Sequence, residues 1–218
     1  MAILSLENIC FSYDTRPVLQ NVSYEFETGK MYCIIGKSGA GKTTLLSLLS
    51  GLAAPNSGVI RYEGKDIAGI DKYTFRSKYI GVVFQSFNLI TKFAALENVM
   101  LSMDIAGVRG VDKKQRALEL LESVGLDADE AHRRVLHLSG GQQQRVAVAR
   151  ALAYDPQIIL ADEPTGNLDQ ETQDEIMTVF RQLADRGKCV ILVSHSPEVA
   201  QACDERYELT RISSKGKR

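Results

Sequence analysis

The sequence predicts an α/β fold with a mainly parallel sheet, an antiparallel β unit near its N-terminal end and an inserted helical unit. About the first thirty residues alternate apolar and polar side chains, which is typical of antiparallel strands with one solvent-facing surface. Residues 31–35, 158–161 and 189–193 are instead continuous apolar runs, which indicate strands buried on both faces. A helical pattern over 172–186 separates the last two runs. Strand–helix–strand order of this kind favours a parallel sheet with right-handed connections.

The chain changes character between residues 86 and 138, where helical spacing replaces runs of β-branched residues. Ala117, Leu121 and Val124 recur at intervals of four and three residues, and Gly125 follows as a stop signal. We therefore predict a helical unit inserted into the sheet domain. Within a single domain, 1–218, the predicted division is 1–85 and 146–218 for the core with its antiparallel β unit, and 86–145 for the helical insert.

Composition counts against several classes of protein without excluding all of them. The 218 residues carry 26 basic and 27 acidic side chains, so the basic excess of a protein that coats nucleic acid is missing. No apolar run approaches the roughly 18 residues of a membrane helix, and the N-terminus lacks the pattern of a signal peptide. The 4 cysteines are widely spaced, which predicts reduced thiols in the cytosol. The basic end, 211–218, is predicted to be a solvated terminus.

A glycine-rich turn follows the apolar run 31–35 and precedes leucines on helical spacing. It matches the pattern G-x-x-x-x-G-K-[ST], in which glycines let backbone N–H groups surround a phosphate at a helix N-terminus. Lys42 is expected to reach the terminal phosphates of ATP, and the Thr43 hydroxyl to bind Mg²⁺. The predicted nucleotide contacts in this turn are Gly36, Lys37, Ser38, Gly39, Ala40, Gly41, Lys42, Thr43 and Thr44. The motif and the strand pattern together predict a P-loop NTPase core.

Two adjacent carboxylates, Asp162 and Glu163, end the apolar run that begins at Ile158. Asp162 is placed to orient Mg²⁺ or one of its waters, and Glu163 to take a proton from the attacking water. Such a pair is weak evidence alone, because many strands end in a solvated acidic turn. Beside a phosphate loop, the catalytic interpretation is favoured.

A second anion-binding helix start is predicted at Ser139, Gly140, Gly141 and Gln142. The serine is a good N-cap, and the glycines leave backbone N–H groups accessible. One chain that binds one nucleotide has little use for two polyphosphate sites. Two chains placed head to tail do, because each chain's serine–glycine loop then meets the nucleotide that the other chain holds.

In their order along the chain, these motifs resemble those of the ATP-binding cassette (ABC) ATPases, and the resemblance covers nearly all of the sequence. It implies a RecA-like core and gives roles to four further positions. Tyr13 resembles the aromatic residue that stacks on adenine, and Gln85 the glutamine that contacts Mg²⁺ and water. Asp169, in the segment Asn167-Leu168-Asp169, resembles the loop that crosses to the partner. His195 resembles the histidine that acts on the γ-phosphate. The implied catalytic residues are Glu163, His195 and Gln85, and the implied metal contacts are Thr43, Gln85 and Asp162.

The sequences of two segments resemble one subgroup of this family in particular. Residues 139–152, with three successive glutamines, and residues 161–169 are similar to ATPases of lipoprotein release, macrolide and peptide export or sensing, and cell-division signalling. The resemblance implies an ATP-induced homodimer, integral membrane permease subunits, no nucleic acid partner and a place at the cytoplasmic face of the membrane. Many relatives carry proline where this chain has Val135, a departure that bears on the identity of the membrane partner.

Three other classes share the cassette. Chromosome-organising and repair ATPases split it with a long coiled coil, and no sustained heptads occur here. Translation-associated ATPases carry two cassettes in one chain. Importer ATPases often carry a C-terminal regulatory domain, so a chain ending soon after the histidine disfavours them only modestly. The apolar residues of 86–103 fit either the core of a helical lobe or a docking groove.

Overall fold

The structure is a computed structural model that describes residues 2–166 and 168–212. The predictions for Asn167 and for the basic end beyond residue 212 lie outside the described residues. The strands are β1 Leu4–Tyr13, β2 Arg16–Phe26, β3 Met31–Ile35, β4 Ser57–Tyr62, β5 Lys65–Asp66, β6 Ile80–Val83, β7 Ile158–Asp162, β8 Cys189–Val193 and β9 Glu205–Glu208. The helices are α1 Lys42–Leu49, α2 Lys72–Thr74, α3 Ala95–Ile105, α4 Lys113–Ser123, α5 Ala128–His132, α6 Gly140–Ala151, α7 Gln170–Asp185 and α8 Pro197–Gln201.

The strands form two sheets, as the hydrophobic patterns predict. The sheet with strand order β6-β7-β8-β3-β9 is parallel at every pairing, and all five residues of β8 are buried. The sheet with order β2-β1-β4-β5 is antiparallel. A mixed α/β architecture with a parallel core sheet and an antiparallel N-terminal sheet is thereby confirmed.

Register in the parallel sheet determines where the site lies. Asp162 is the register partner of Val193, and Ala161 is the partner of both Val83 and Leu192. The carboxyl ends of β6, β7 and β8 therefore meet at one edge, and β3 ends beside them. Loops that leave these strands are brought together at the edge of the sheet where α/β proteins usually bind ligands.

Helices α3 to α6 pack around a shared apolar core that includes Val99, Met103, Leu121 and Val148. Helix α6 runs across residue 146, where the helical insert was predicted to end, and continues onto β6. The division into core and insert stays a prediction. No helix among the described residues is long and apolar enough to cross a membrane.

The bounds of one predicted helix and one predicted strand differ from the structure. Helix α7 begins two residues before the predicted start at 172, because the Asp169 carboxylate accepts the N–H of Thr172 and caps the first turn, and it ends at Asp185 rather than at 186. Strand β7 includes Asp162, one residue beyond the apolar run 158–161. The segment 65–79, which the alternation did not predict, forms β5, α2 and adjoining short helical turns.

Candidate nucleotide site

A cavity of about 950 Å³ lies at the carboxyl edge of the parallel sheet. The loop after β3, the residues after β7 and the residue after β8 all contribute to its wall. The predicted site residues that line it are Gly36, Lys37, Ser38, Gly39, Gly41, Lys42, Thr43, Thr44, Gln85, Asp162, Glu163 and His195. Residues separated by more than a hundred positions in the chain are thus gathered around one space of nucleotide size.

Two glycines of the loop, Gly36 and Gly41, are required by close approaches. Gly41 has φ of 98°, and a Cβ there would lie 2.8 Å from Val18 Cγ1. A Cβ on Gly36 would lie 2.6 Å from the carbonyl oxygen of Leu209. Lys42 Nζ donates to the Gly36 carbonyl at 2.8 Å, so its ammonium group is folded over the loop that would hold the phosphates. Ala40, also predicted as a contact, is buried beneath the loop.

Tyr13, a predicted contact, does not line the cavity but lies next to Thr44, which does. The residue is 56% exposed, and its ring stands edge-on to Phe11 at a centroid distance of 4.9 Å. Its hydroxyl is 3.5 Å from Thr44 Oγ1. An exposed aromatic face beside the phosphate loop is available to a flat base, which is the predicted role of this residue.

Asp162 is the most perturbed acid of the cavity. Burial raises its pKa above the ordinary value, and the negative charge of Glu163 raises it further. A hydrogen bond from Thr43 and the positive charge of Lys42 act in the opposite direction. The carboxylate is thus destabilised by its surroundings and would gain from an added cation.

Glu163 is held by three donors. Its backbone has φ of 45°, and its N–H donates to the Val193 carbonyl across the strand ends. Ser194 Oγ and the His195 N–H each donate to the carboxylate at 3.3 Å, and His195 Nδ1 lies 2.9 Å from it. Since an ionised carboxylate only accepts, Nδ1 carries the proton and the Nε2 side of the ring is left free. The Glu163 side chain is 12% exposed and that of His195 is 71% exposed, so the pair runs from the interior to the open cavity.

The second predicted anion site lies elsewhere in the same chain. Ser139 Oγ accepts the N–H of Gln142 at the start of α6, and Asp169 caps the start of α7. A Cβ on Gly141 would lie 2.6 Å from Thr172 Cγ2, so the two helix starts are side by side. The nucleotide cavity is not lined by any of the five residues predicted to face a partner chain, which are Ser139, Gly140, Gly141, Gln142 and Asp169. The predicted residues therefore fall into two groups on one chain.

Comparison with known proteins agrees with this geometry. Residues 19–166 match the family model described as "ABC transporter". The ABC transporter ATP-binding protein YclH of Bacillus subtilis is 43% identical over 98% of this chain and 96% of its own length. This chain belongs to the ABC transporter family of ATP-binding proteins. It is therefore an ABC ATPase.

One further relative and two solved structures are also similar to this chain. The lipoprotein-releasing system ATP-binding protein LolD of Protochlamydia amoebophila is 44% identical over 88% of this chain and 86% of its own length. Two structures of the bacterial cassette MJ0796 each superpose on this chain with a TM-score of 0.87. The first is 37% identical and covers 95% of this chain and 94% of its own. The second is 36% identical and covers 96% of this chain and 97% of its own. One is a dimer, and the other is a dimer in a post-hydrolysis state bound to ADP and Pi.

The cassette also contains a contact that the sequence did not suggest. Gln85 lines the cavity, and the residues that follow it, Phe87 and Asn88, both adopt left-handed backbone conformations. Arg150 of α6 donates through its guanidinium to the carbonyls of Phe87 and Asn88. Burial lowers the pKa of Arg150, whose charge is satisfied by these backbone oxygens. Helix α6 thereby fixes the turn that presents Gln85.

Strand β9 adds further groups to the wall. Arg206 and Glu208 line the cassette's cavity, and Gln201 of α8 does so beside them. None of these residues was predicted. They come after His195, in a short, largely charged segment that resembles a loop more than a strand. The regular register with β3 that places them there, with Cys33 opposite Arg206, is visible only in the folded sheet.

Proposed function

We propose that this cassette is the energising subunit of a membrane transporter and that two copies close head to tail around two Mg·ATP. One observation carries the proposal: the start of α6 at Ser139 does not line the nucleotide cavity of its own chain. Its side chain and the glycines after it are exposed or half-buried. A helix start that favours anions, yet lies outside the nucleotide cavity of its own chain, is explained if a partner chain supplies the nucleotide. The dimeric structure of MJ0796 supports the formation of a dimer by a similar cassette.

The chemistry that we propose is transfer of the γ-phosphoryl group of ATP to water. Glu163 accepts a proton from the attacking water, and His195 Nε2 faces the terminal phosphate from the open side of the same pair. Lys42 contributes positive charge to the β- and γ-phosphates. Gln85 helps to position the water and the metal. Tyr13 stacks on adenine and contributes to affinity rather than to turnover.

Thr43, Asp162 and Gln85 fit a magnesium ion. A hydroxyl, a carboxylate and an amide present the hard oxygen atoms that Mg²⁺ prefers, and all three line one cavity. No cluster of three His, Cys, Asp or Glu side chains suited to a metal occurs among residues 2–166 and 168–212. The ion is therefore expected to arrive with the nucleotide phosphates. When bound, it neutralises charge that develops on the phosphoryl oxygens.

A groove of about 250 Å³ beside the edge strand β6 is the proposed docking site of a membrane permease. It is lined by Leu52, Phe84, Asn88 and Arg150 among others, and thus adjoins the turn that presents Gln85. Exposed apolar side chains stand in the segments around it, among them Leu52 and Ile105. An amphipathic cytoplasmic segment of the permease would cover these side chains, so ATP-driven movement at Gln85 would reach it. This partner would hold the cassette at the cytoplasmic face of the membrane.

An intermolecular cross-link tests the head-to-tail dimer. Cysteines replace Ser38 and Ser139, both exposed, in a chain whose native cysteines Cys10, Cys33, Cys189 and Cys203 have been removed. The chain also carries Glu163→Gln, so that ATP persists. We expect a covalent dimer with Mg·ATP and little with ADP or without nucleotide. Pairing Ser38 with Ser57, another exposed serine, is the matched control and should give no ATP-dependent dimer.

Two results would refute the arrangement. The first is a bond formed within one chain, detected as a cross-linked peptide in monomeric protein. The second is equal cross-linking with and without ATP. A mixture of Lys42→Ala and Ser139→Arg chains provides an independent check. Both lesions then fall on one composite site, and the other site keeps an intact Lys42 and an intact Ser139, so part of the lost ATPase activity should return.

A further inference from the structure

Two helix starts in the helical region are built alike. At the start of α5, Asp127 accepts the N–H of Glu130 at 2.8 Å, and Glu130 accepts the N–H of Asp127 at 2.9 Å. At the start of α6, Ser139 Oγ accepts the N–H of Gln142 at 3.2 Å, and Gln142 Oε1 accepts the N–H of Ser139 at 2.8 Å. Each is a reciprocal capping box that satisfies two otherwise free N–H groups.

A side-chain hydrogen bond joins the two boxes. Gln142 Nε2 donates to Glu130 Oε1 at 2.5 Å, and the other oxygen of Glu130 is the one that caps α5. The Gln142 amide is thus used at both ends, with its oxygen on Ser139 and its nitrogen on Glu130. Because an acceptor-only carboxylate faces the nitrogen, the amide has one orientation and cannot flip.

The segment that carries Glu130 is itself fastened to α3. The N–H of Ala95 donates to the Arg133 carbonyl at 3.0 Å, and the N–H of Val135 donates to the Phe93 carbonyl at 3.1 Å. Ala131, next to Glu130, is buried in the core of the helical region. The backbone that carries Glu130 is therefore held in place by the α3 segment and by the core. Through its hydrogen bond to Gln142, Glu130 also holds the start of α6 in place.

We infer that Glu130 is a positioning residue for the partner-facing loop at Ser139. It acts through Gln142, whose amide holds the Ser139 N–H and thereby orients the N-terminal turn of α6. The inference rests on the proposed function, because that function makes this turn the part that meets the partner's nucleotide. Electrostatic contacts of this kind depend on preorganised donors, so a turn free to reorient would meet the nucleotide less well.

The chemistry at position 130 requires a carboxylate. A glutamine at this position has one acceptor oxygen for two donors, the Asp127 N–H and Gln142 Nε2, so one donor would face another donor. Alanine would leave both donors without this acceptor. Glu122, an exposed residue of α4 whose carboxylate has no bonding partner in the described part of the chain, provides a matched control for loss of a negative charge in the same helical region.

The experiment measures ATP-driven dimerisation in the Glu163→Gln background by analytical ultracentrifugation. We expect Glu130→Ala to weaken dimerisation about tenfold or more, because a hydrogen bond to a charged group typically corresponds to at least one power of ten in an equilibrium constant. Glu130→Gln should fall between Glu130→Ala and the parent, and Glu122→Ala should match the parent. The affinity of the monomer for a fluorescent ATP analogue should be unchanged in all three, since no substituted side chain lines its own cavity.

Amide hydrogen exchange separates this inference from the proposed function. In nucleotide-free Glu130→Ala, the N–H groups of Ser139 and Gln142 should exchange faster, and the N–H of Leu45, bonded to Gly41 in α1, should not change. Unchanged exchange at Ser139 and Gln142, or a parent-like dimer, would overturn the role of Glu130. Equal weakening of nucleotide binding in the monomer would also overturn it. If the parent itself fails to dimerise with ATP, the head-to-tail proposal fails, and the exchange rates still decide the role of Glu130.

Discussion

Replacing Glu163 with glutamine changes the reactivity of the site while keeping its shape. Glutamine has the same length, and its oxygen can still accept from Ser194 Oγ and the His195 N–H, which share one carboxylate oxygen in the structure. Its nitrogen would then face His195 Nδ1, which must become the acceptor by moving the ring proton to Nε2. The hydrogen-bond frame thus survives with a change of histidine tautomer. The variant is expected to fold and to bind ATP as the parent does.

The expected loss of turnover follows from the role of a general base, whose removal typically slows a reaction by about 10²–10⁴-fold. That range corresponds to an increase of about 2.7–5.4 kcal/mol in the activation barrier. The structure is consistent with this role, because the carboxylate lies at the inner wall of the cavity with its side chain 12% exposed.

The assay is phosphate release under saturating Mg·ATP, combined with size-exclusion chromatography. The variant should bind ATP with parent affinity, release phosphate at least about a hundredfold more slowly and accumulate as a dimer, because unhydrolysed ATP keeps the two chains together. Glu198→Gln is the matched control, since the Glu198 carboxylate accepts from the nearby Ser196 hydroxyl and Glu198 does not line the cavity. Turnover close to that of the parent would refute the assignment of Glu163 as the base. Loss of ATP affinity would refute the argument that the frame survives.

The remaining predictions concern binding and stability. Lys42→Ala should weaken ATP binding about tenfold or more and also abolish turnover, because a charge-assisted contact to phosphate is lost. Unchanged affinity in a titration with a fluorescent ATP analogue would contradict this prediction. Tyr13→Ala should raise the ATP concentration for half-maximal rate about three- to tenfold with a smaller effect on the saturated rate, as loss of uniform stacking does. Tyr73→Ala, which removes another exposed tyrosine, is its control. Asp162→Asn should lose turnover yet stabilise the nucleotide-free chain at neutral pH.

The sequence predicted those parts of the fold that depend on local pattern. The runs that became β3, β7 and β8 are apolar throughout because both faces of a central parallel strand are buried. Edge strand β9 was not predicted, because a strand at the edge of the sheet is not buried on both faces. Its side chains alternate between half-buried and exposed, and three of its four residues are charged, so it lacks that hydrophobic signal.

The candidate site was predictable where chemistry is written in short motifs, as in 36–43 and at Asp162 and Glu163. Contacts between distant segments were not predictable. Arg150 bonds to carbonyls 62 and 63 residues away. Phe87 and Asn88 adopt left-handed conformations although neither is a glycine, so the sequence did not indicate this turn. The capping boxes at Asp127 and Ser139 follow a sequence rule. Their connection through Glu130 and Gln142 depends on how α5 and α6 each pack against α3, which no local pattern specifies.

Asp162 allows the electrostatics of the nucleotide cavity to be tested by pH. Burial raises its pKa in the folded chain, so folding at neutral pH carries a cost for the ionised carboxylate. As the pH falls through the folded and then the unfolded pKa, the carboxyl becomes protonated in both states and the cost disappears. Asp162→Asn, whose oxygen can still accept from Thr43, should therefore raise the free energy of unfolding at pH 7, and this gain should shrink towards about pH 4. Urea unfolding without metal or nucleotide measures it, with exposed Asp129→Asn expected to show no gain. A destabilised Asp162→Asn at pH 7, or a gain that is the same at both pH values, would show that burial does not dominate this carboxylate.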